Sequence, residues 1–263
     1  MTSLKYALAA LLGAFSAHAA ALGSLVDITV FDRSEGRRLP VYWHEGRAYV
    51  VGKPGNEYQL SLRSRQGEDV LAVLSVDGVN VITGETATLQ QSGYVLSPWR
   101  PLDVKGWRKD LSRTAAFYFT ALPDSYAART GRPDNVGAIG VALFRRKAPE
   151  RVPFSQGAPA EPQASPFARS EAHGAGSLAD KSAAQAMERD REDRLGTGHG
   201  RSEVAPARHV GFERATREPA EVVTIYYDRY ENLLARGIVP RTAWPRPAPG
   251  PNPFPGFVPD PPA

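Results

Sequence analysis

Along residues 25–146 apolar and polar positions alternate in short runs separated by turn residues. Val26, Ile28 and Val30 alternate with Asp27 and Thr29, and Tyr58, Leu60 and Leu62 alternate with Gln59, Ser61 and Arg63. A period of two marks a strand with one face in a core. The runs at 39–43 and 47–51 flank His44-Glu45-Gly46, which predicts a hairpin. Those at 70–76 and 79–83 flank Asp77-Gly78. Both central positions of a type I′ turn need positive φ, which Gly adopts freely and Asp tolerates. These two runs are apolar on both faces, so the hairpin is expected at the centre of the core. Further strands are expected at 94–96, 102–104, 115–120 and 138–144, giving roughly nine in all, the spacing of an all-β antiparallel sandwich or jelly roll. Residues 123–135 read as a loop with one helical turn at 126–129. No long amphipathic run interrupts the strands, which argues against βαβ units.

Past residue 146 the pattern changes. Residues 147–176 interleave Pro149, Pro153, Pro159, Pro162 and Pro166 with Ala, Ser and Gly, the composition of a low-complexity linker that cannot build a core. Residues 177–195 predict a solvated helix, opened by a Ser177/Asp180 capping pattern and closed by Gly196, with a thin apolar stripe. Residues 196–220 read as a Gly-rich loop region. At 221–238 a strand precedes a short helix opened by Asp228-Arg229-Tyr230-Glu231 and stopped by Gly237; it is expected to dock on the sandwich. Residues 239–263 form a Pro-rich tail, for which polyproline II is the local expectation.

The first twenty residues carry Lys5, a short apolar run at 6–15 and Ala17-His18-Ala19. Together they predict a secretory signal peptide at 1–20, leaving the sandwich to 21–146. The apolar run is too short to span a bilayer, so no transmembrane segment is expected in the mature chain. The chain of 263 residues has no cysteine, which excludes disulfides, thiol catalysis, Cys-ligated metals and a lipid-modified cysteine. Net charge is +4, with 16 basic against 13 acidic residues at 25–146 and 15 of each at 147–263. Such a weak excess gives no nucleic-acid footprint.

The runs SVDGVNVITGE (75–85), FTALPDSYAARTGRPDNVGAIGVALFR (119–145), LGTGHGR (195–201) and YYDRYENLLARGIVPR (226–241) resemble a family of hypothetical exported proteins of Gram-negative bacteria. That resemblance implies export and one shared architecture. It carries over no activity, ligand or site residue.

Candidate chemistry is sparse. Asp124, Ser125, Tyr126, Arg129, Arg132, Asp134 and Asn135 make a dense polar loop between two apolar strands, a common way to present a binding site. The same residues also suit plain turn caps and ion pairs, the stronger expectation. His199 lies in Gly196-Thr197-Gly198-His199-Gly200, where it could act as acid, base or ligand, or merely sit in a flexible joint. His199, Glu203 and His209 fit no standard metal spacing, so neither a metal nor another cofactor is expected. Trp43, Trp99 and Trp107, with Tyr94 and Tyr126, offer flat faces for sugars or prolines. Arg100, Lys105, Arg108 and Lys109 beside them suit an anionic glycan. No G-x-S-x-G elbow surrounds a serine.

The expected function is therefore a non-catalytic binding or structural role in the periplasm or outside the cell. Trp99, Trp107, Arg108, Tyr126, Arg129, Arg132, Asp134 and His199 are the candidate binding residues, and no catalytic residue is assigned. The expected partner is an envelope polysaccharide or a protein that grips the Pro-rich tail. The rival expectation is a hydrolase using the 124–135 loop and His199.

Overall fold

The computed structural model describes residues 22–148 and 194–241. The predicted leader, nearly all of the Pro/Ala-rich linker and the 177–195 helix, and most of the Pro-rich tail lie outside the described residues.

In chain order the strands are β1 (Val26–Asp32), β2 (Arg37–Arg38), β3 (Val41–His44), β4 (Arg47–Val51), β5 (Glu57–Ser64), β6 (Val70–Val76) and β7 (Val79–Asn80). They continue as β8 (Tyr94–Leu96), β9 (Pro101–Val104), β10 (Gly106–Arg108), β11 (Arg113–Ala121), β12 (Ala138–Arg145), β13 (Leu195–Val204) and β14 (Glu221–Asp228). Two short helices accompany them, α1 (Tyr126–Arg129) and α2 (Tyr230–Ala235). Among the described residues no helix is long and apolar enough to cross a membrane.

The strands form two seven-stranded sheets. The first runs β10-β11-β5-β1-β2, with β13 on β11 and β9 on β5; the second runs β3-β4-β14-β12-β6-β7, with β8 on β6. Their inner faces meet in one buried cluster that joins Ile28, Leu60 and Phe117 of the first sheet to Leu74, Ile139 and Ile225 of the second. The fold is an all-β sandwich. It is not purely antiparallel, because β14 runs parallel to β4.

Both predicted hairpins form, and both turn on a pair of residues with positive φ, the feature expected at 77–78. Glu45 and Gly46 have φ of 48° and 72°, and Asp77 and Gly78 have 53° and 73°. The second strand of the 77–78 hairpin is shorter than its apolar text suggests. It ends at Asn80, whose Oδ1 accepts from the N–H groups of Ile82 (2.8 Å) and Thr83 (3.1 Å) and turns the chain away. β8 pairs with the remainder of β6 instead.

Three expectations for the second half of the chain are corrected. First, the Gly-rich run is a strand. Residues 195–204 pair along nearly all of β11, so neither a loop nor a helix end at Leu195 survives. Its glycines answer crowding, not mobility. A Cβ on Gly198 would stand 2.2 Å from the Tyr118 ring, and one on Gly196 would stand 2.6 Å from Ser125 Cβ. Second, the 221–228 strand, expected to dock on the sandwich, joins it as an inner member of the second sheet, between β4 and β12. Third, the expected capping pattern at Asp228 and Glu231 is replaced. Arg229 is the N-cap of α2 without a side-chain cap bond, while Asp228 Oδ1 accepts from Arg229 N, Leu195 N and the Asn232 amide. α2 covers the outer face of the second sheet through Leu233, which packs with Tyr49, Val51, Ile238 and Val239.

Candidate binding groove

A groove of about 940 Å³ runs along the flank of the sandwich. Three stretches build it: residues 90–97 leading into and through β8, residues 102–111 of β9 and β10, and residues 204–214. The third stretch carries the chain from the first sheet to the second. It is tied at one end by Ala205 N to Ser112 O (2.8 Å) and Ala207 N to Leu111 O (2.7 Å). At the other end Lys147 N donates to Glu213 O (2.9 Å) and Ala215 N to Arg145 O (3.0 Å).

The groove's charged lining is Lys105, Arg108, Arg146, Arg208 and Arg214 against Asp69 and Asp103, with His209 also present. Arg146 pairs with Asp69 at 2.9 Å. Among the described residues, Arg108 and Arg214 are held by neutral acceptors. Arg108 donates to the Tyr94 hydroxyl (3.1 Å) and to Ala205 O; Arg214 donates to Leu89 O (2.6 Å) and Gln91 O (2.8 Å) and lies 4.0 Å from the centre of the Phe144 ring. Neither forms an ion pair among the described residues, and burial draws the Arg214 guanidinium below its ordinary range.

The predicted candidates divide among three places. Arg108 lines the groove, as does the neighbouring Lys105. Trp99 lies in the turn between β8 and β9, next to the groove residues Ser97 and Leu102. It is 59 % exposed with φ of 61°. A left-handed backbone costs a bulky residue on the order of 1–2 kcal/mol.

Trp107 is a correction: it is 3 % exposed and cannot serve as a platform. Its pairing with Ala115 on β11 turns the indole into the core, edge-on to Phe117 at 5.2 Å, and its N–H donates to Gly198 O (3.3 Å). Tyr126 and His199 come together, stacked at 5.6 Å, and the Tyr126 ring lies 4.8 Å from this tryptophan. The His199 ring is pulled below its ordinary pKa, chiefly by burial and then by Lys109 and Arg129. In the 124–135 loop the helical turn expected at 126–129 forms, capped by Ser125 Oγ accepting from Ala128 N (3.1 Å). Arg132 donates to Gly84 O (3.0 Å) and Thr130 Oγ1 (2.8 Å), so its partners are neutral. Asp134 lies apart from both groups, at a smaller pocket near β12.

One buried polar chain escaped the sequence reading altogether. Asp77 is fully buried. Its carboxylate accepts from Gly137 N (2.9 Å), Thr197 N (2.8 Å) and the Tyr227 hydroxyl (2.5 Å). Because Tyr227 commits its proton to Asp77, its oxygen accepts from Thr197 Oγ1 (2.7 Å), which in turn accepts from Tyr58 (2.7 Å). Tyr58 and Thr197 belong to the first sheet, and Asp77 and Tyr227 to the second, so the chain stitches the layers together. Burial pushes the Asp77 carboxyl up to about 6, against the pull of Tyr227, Gly137, Thr197 and Ala138. A carboxyl that holds its proton to higher pH when folded than when unfolded makes the fold most stable below its unfolded pKa. Stability is therefore expected to fall as pH rises from about 4 to about 6, a slope absent in Asp77→Asn. Urea unfolding across that window checks it; equal slopes in the two proteins would refute the assignment.

Compared with family models, curated proteins and solved structures, the chain matches none of them.

Proposed function

We propose that this protein is an exported, non-catalytic binding module whose flank groove takes an extended anionic polymer, an acidic glycan of the cell envelope. One observation carries the reading: five Lys and Arg side chains line the groove against two carboxylates, and two of the guanidiniums are anchored on neutral atoms. An anion would gain from these charges without displacing a protein carboxylate. The exposed Trp99 beside the groove supplies a flat face for a sugar ring. Export rests on the leader text at 1–20.

The test is titration of the mature chain with polygalacturonate, with dextran as neutral control, followed by co-sedimentation with isolated cell-wall sacculi. Binding of the acidic polymer is expected to weaken with salt, as for any exposed ion-pairing surface. The double substitution Lys105→Gln/Arg208→Gln should raise Kd by about tenfold, on the order of 1.4 kcal/mol. Trp99→Ala should reduce both affinity and the fluorescence change. Equal affinity for dextran, or no response to the double substitution, would remove the glycan reading.

A further inference from the structure

A second concavity of about 300 Å³ lies away from the groove, where the ends of β14 and α2 meet the starts of β4, β12 and β13. We propose that it binds a small organic anion, a molecule of monosaccharide size carrying a carboxylate or phosphate group.

Three guanidiniums line this pocket, those of Arg47, Arg194 and Arg236. None of them forms an ion pair among the described residues. Arg47 lies over the Tyr226 ring at 5.6 Å, and Arg236 over the Tyr49 ring at 5.3 Å. Tyr49 and Tyr226 pack on each other at 5.5 Å, so the two guanidiniums are borne by one aromatic pair. Arg236 also donates to the Tyr49 hydroxyl at 3.3 Å, and Arg194 donates to Val136 O at 2.8 Å. A guanidinium resting on a ring keeps N–H donors at its edge, in the fork that matches a carboxylate or phosphate. The support comes from neighbouring strands, because Tyr49 and Tyr226 are register partners on β4 and β14. The donors are held before a ligand arrives, which lowers the ordering cost of binding.

Two carboxylates also line the pocket. Asp134 is exposed, and Asp228 spends one oxygen on Leu195 N, Arg229 N and Asn232. The lining is thus left with one net positive charge, three arginines against two aspartates. The volume sits at the lower end of ligand pockets and holds roughly ten waters at about 30 Å³ each, the space of one sugar ring. A polymer of the kind assigned to the groove does not fit it.

The experiment is calorimetric titration of the mature chain with inorganic phosphate and with D-glucuronate, using D-glucose as neutral control. Saturable binding of at least one anion, and none of glucose, is expected. Phosphate alone would mark a phosphate site, glucuronate alone a carboxylate site, and both a general oxyanion site. Arg47→Gln/Arg236→Gln should weaken binding at least tenfold. Arg47→Lys/Arg236→Lys, which keeps charge but loses the forks, should weaken it less. Lys105→Gln/Arg208→Gln in the groove should leave it unchanged, so this proposal and the glycan reading stand or fall separately. The proposal is overturned if neither anion saturates, if glucose binds equally, or if only the groove substitutions abolish binding.

Discussion

Replacing Asp77 by alanine is expected to destabilise the fold by about 3 kcal/mol at neutral pH, because three buried donors lose their acceptor at once. Those donors are Gly137 N, Thr197 N and the Tyr227 hydroxyl, all within 2.9 Å of the carboxylate. Each orphaned donor carries a desolvation cost of about 1–3 kcal/mol, offset in part by removal of a poorly solvated charge. Asp77→Asn should cost less. Its carbonyl can still serve Gly137 and Tyr227, while its amide would face the Thr197 N–H donor to donor. Tyr227→Phe should cost about 1 kcal/mol, the usual worth of one hydroxyl bond. Urea midpoints of the three variants rank them, and a loss under about 1 kcal/mol for Asp77→Ala would show that the network does not hold the layers together.

Phe119→Ala is the second large effect, at about 4 kcal/mol and a fall in Tm on the order of 10 °C. Phe119 is fully buried, stacked 4.3 Å from Tyr58 and tilted 5.4 Å from Tyr227. Its ring also closes the space over Gly52, where a Cβ would stand 2.8 Å from Phe119 Cδ1. Truncation therefore opens a cavity walled by aromatic rings whose hydroxyls belong to the buried chain of hydrogen bonds. Rigid walls of that kind relax little, which places the cost in the upper part of the large-to-small range. Differential scanning calorimetry reads it directly, and a Tm within about 2 °C of the parent would mean that the site collapses without loss.

Much of the fold was legible in local text. The alternation of Val26, Ile28 and Val30 marked the inner face of β1, and all three residues are buried. Asp77-Gly78 and Glu45-Gly46 announced their turns through the backbone angles that glycine permits. The helical turn expected at 126–129 forms there, and the structure adds Ser125 as its cap. The site was far less legible. Of the eight candidate binding residues, only Arg108 lines the groove itself, with Trp99 in the turn beside it, and Trp107 is buried. Asp77 read as a turn residue because that is its local role. Its second role depends on Thr197 and Tyr227, which lie 120 and 150 residues away.

The sequence by itself determined the strand periods, the two tight turns and the all-β class, since all three follow from side-chain alternation and backbone freedom within a few residues. Only the tertiary structure decided that LGTGHG is a strand, because its glycines answer the Tyr118 ring and Ser125, which the local text does not reveal. The placement of β14, parallel to β4 and antiparallel to β12, likewise rests on backbone pairing with strands far away in the chain, which no local period encodes. The same holds for charge. Arg47 and Arg236 are distant in the text, and only the pairing of β4 with β14 brings Tyr49 and Tyr226 together beneath them. A binding site is a convergence of side chains in space, and no local period encodes it.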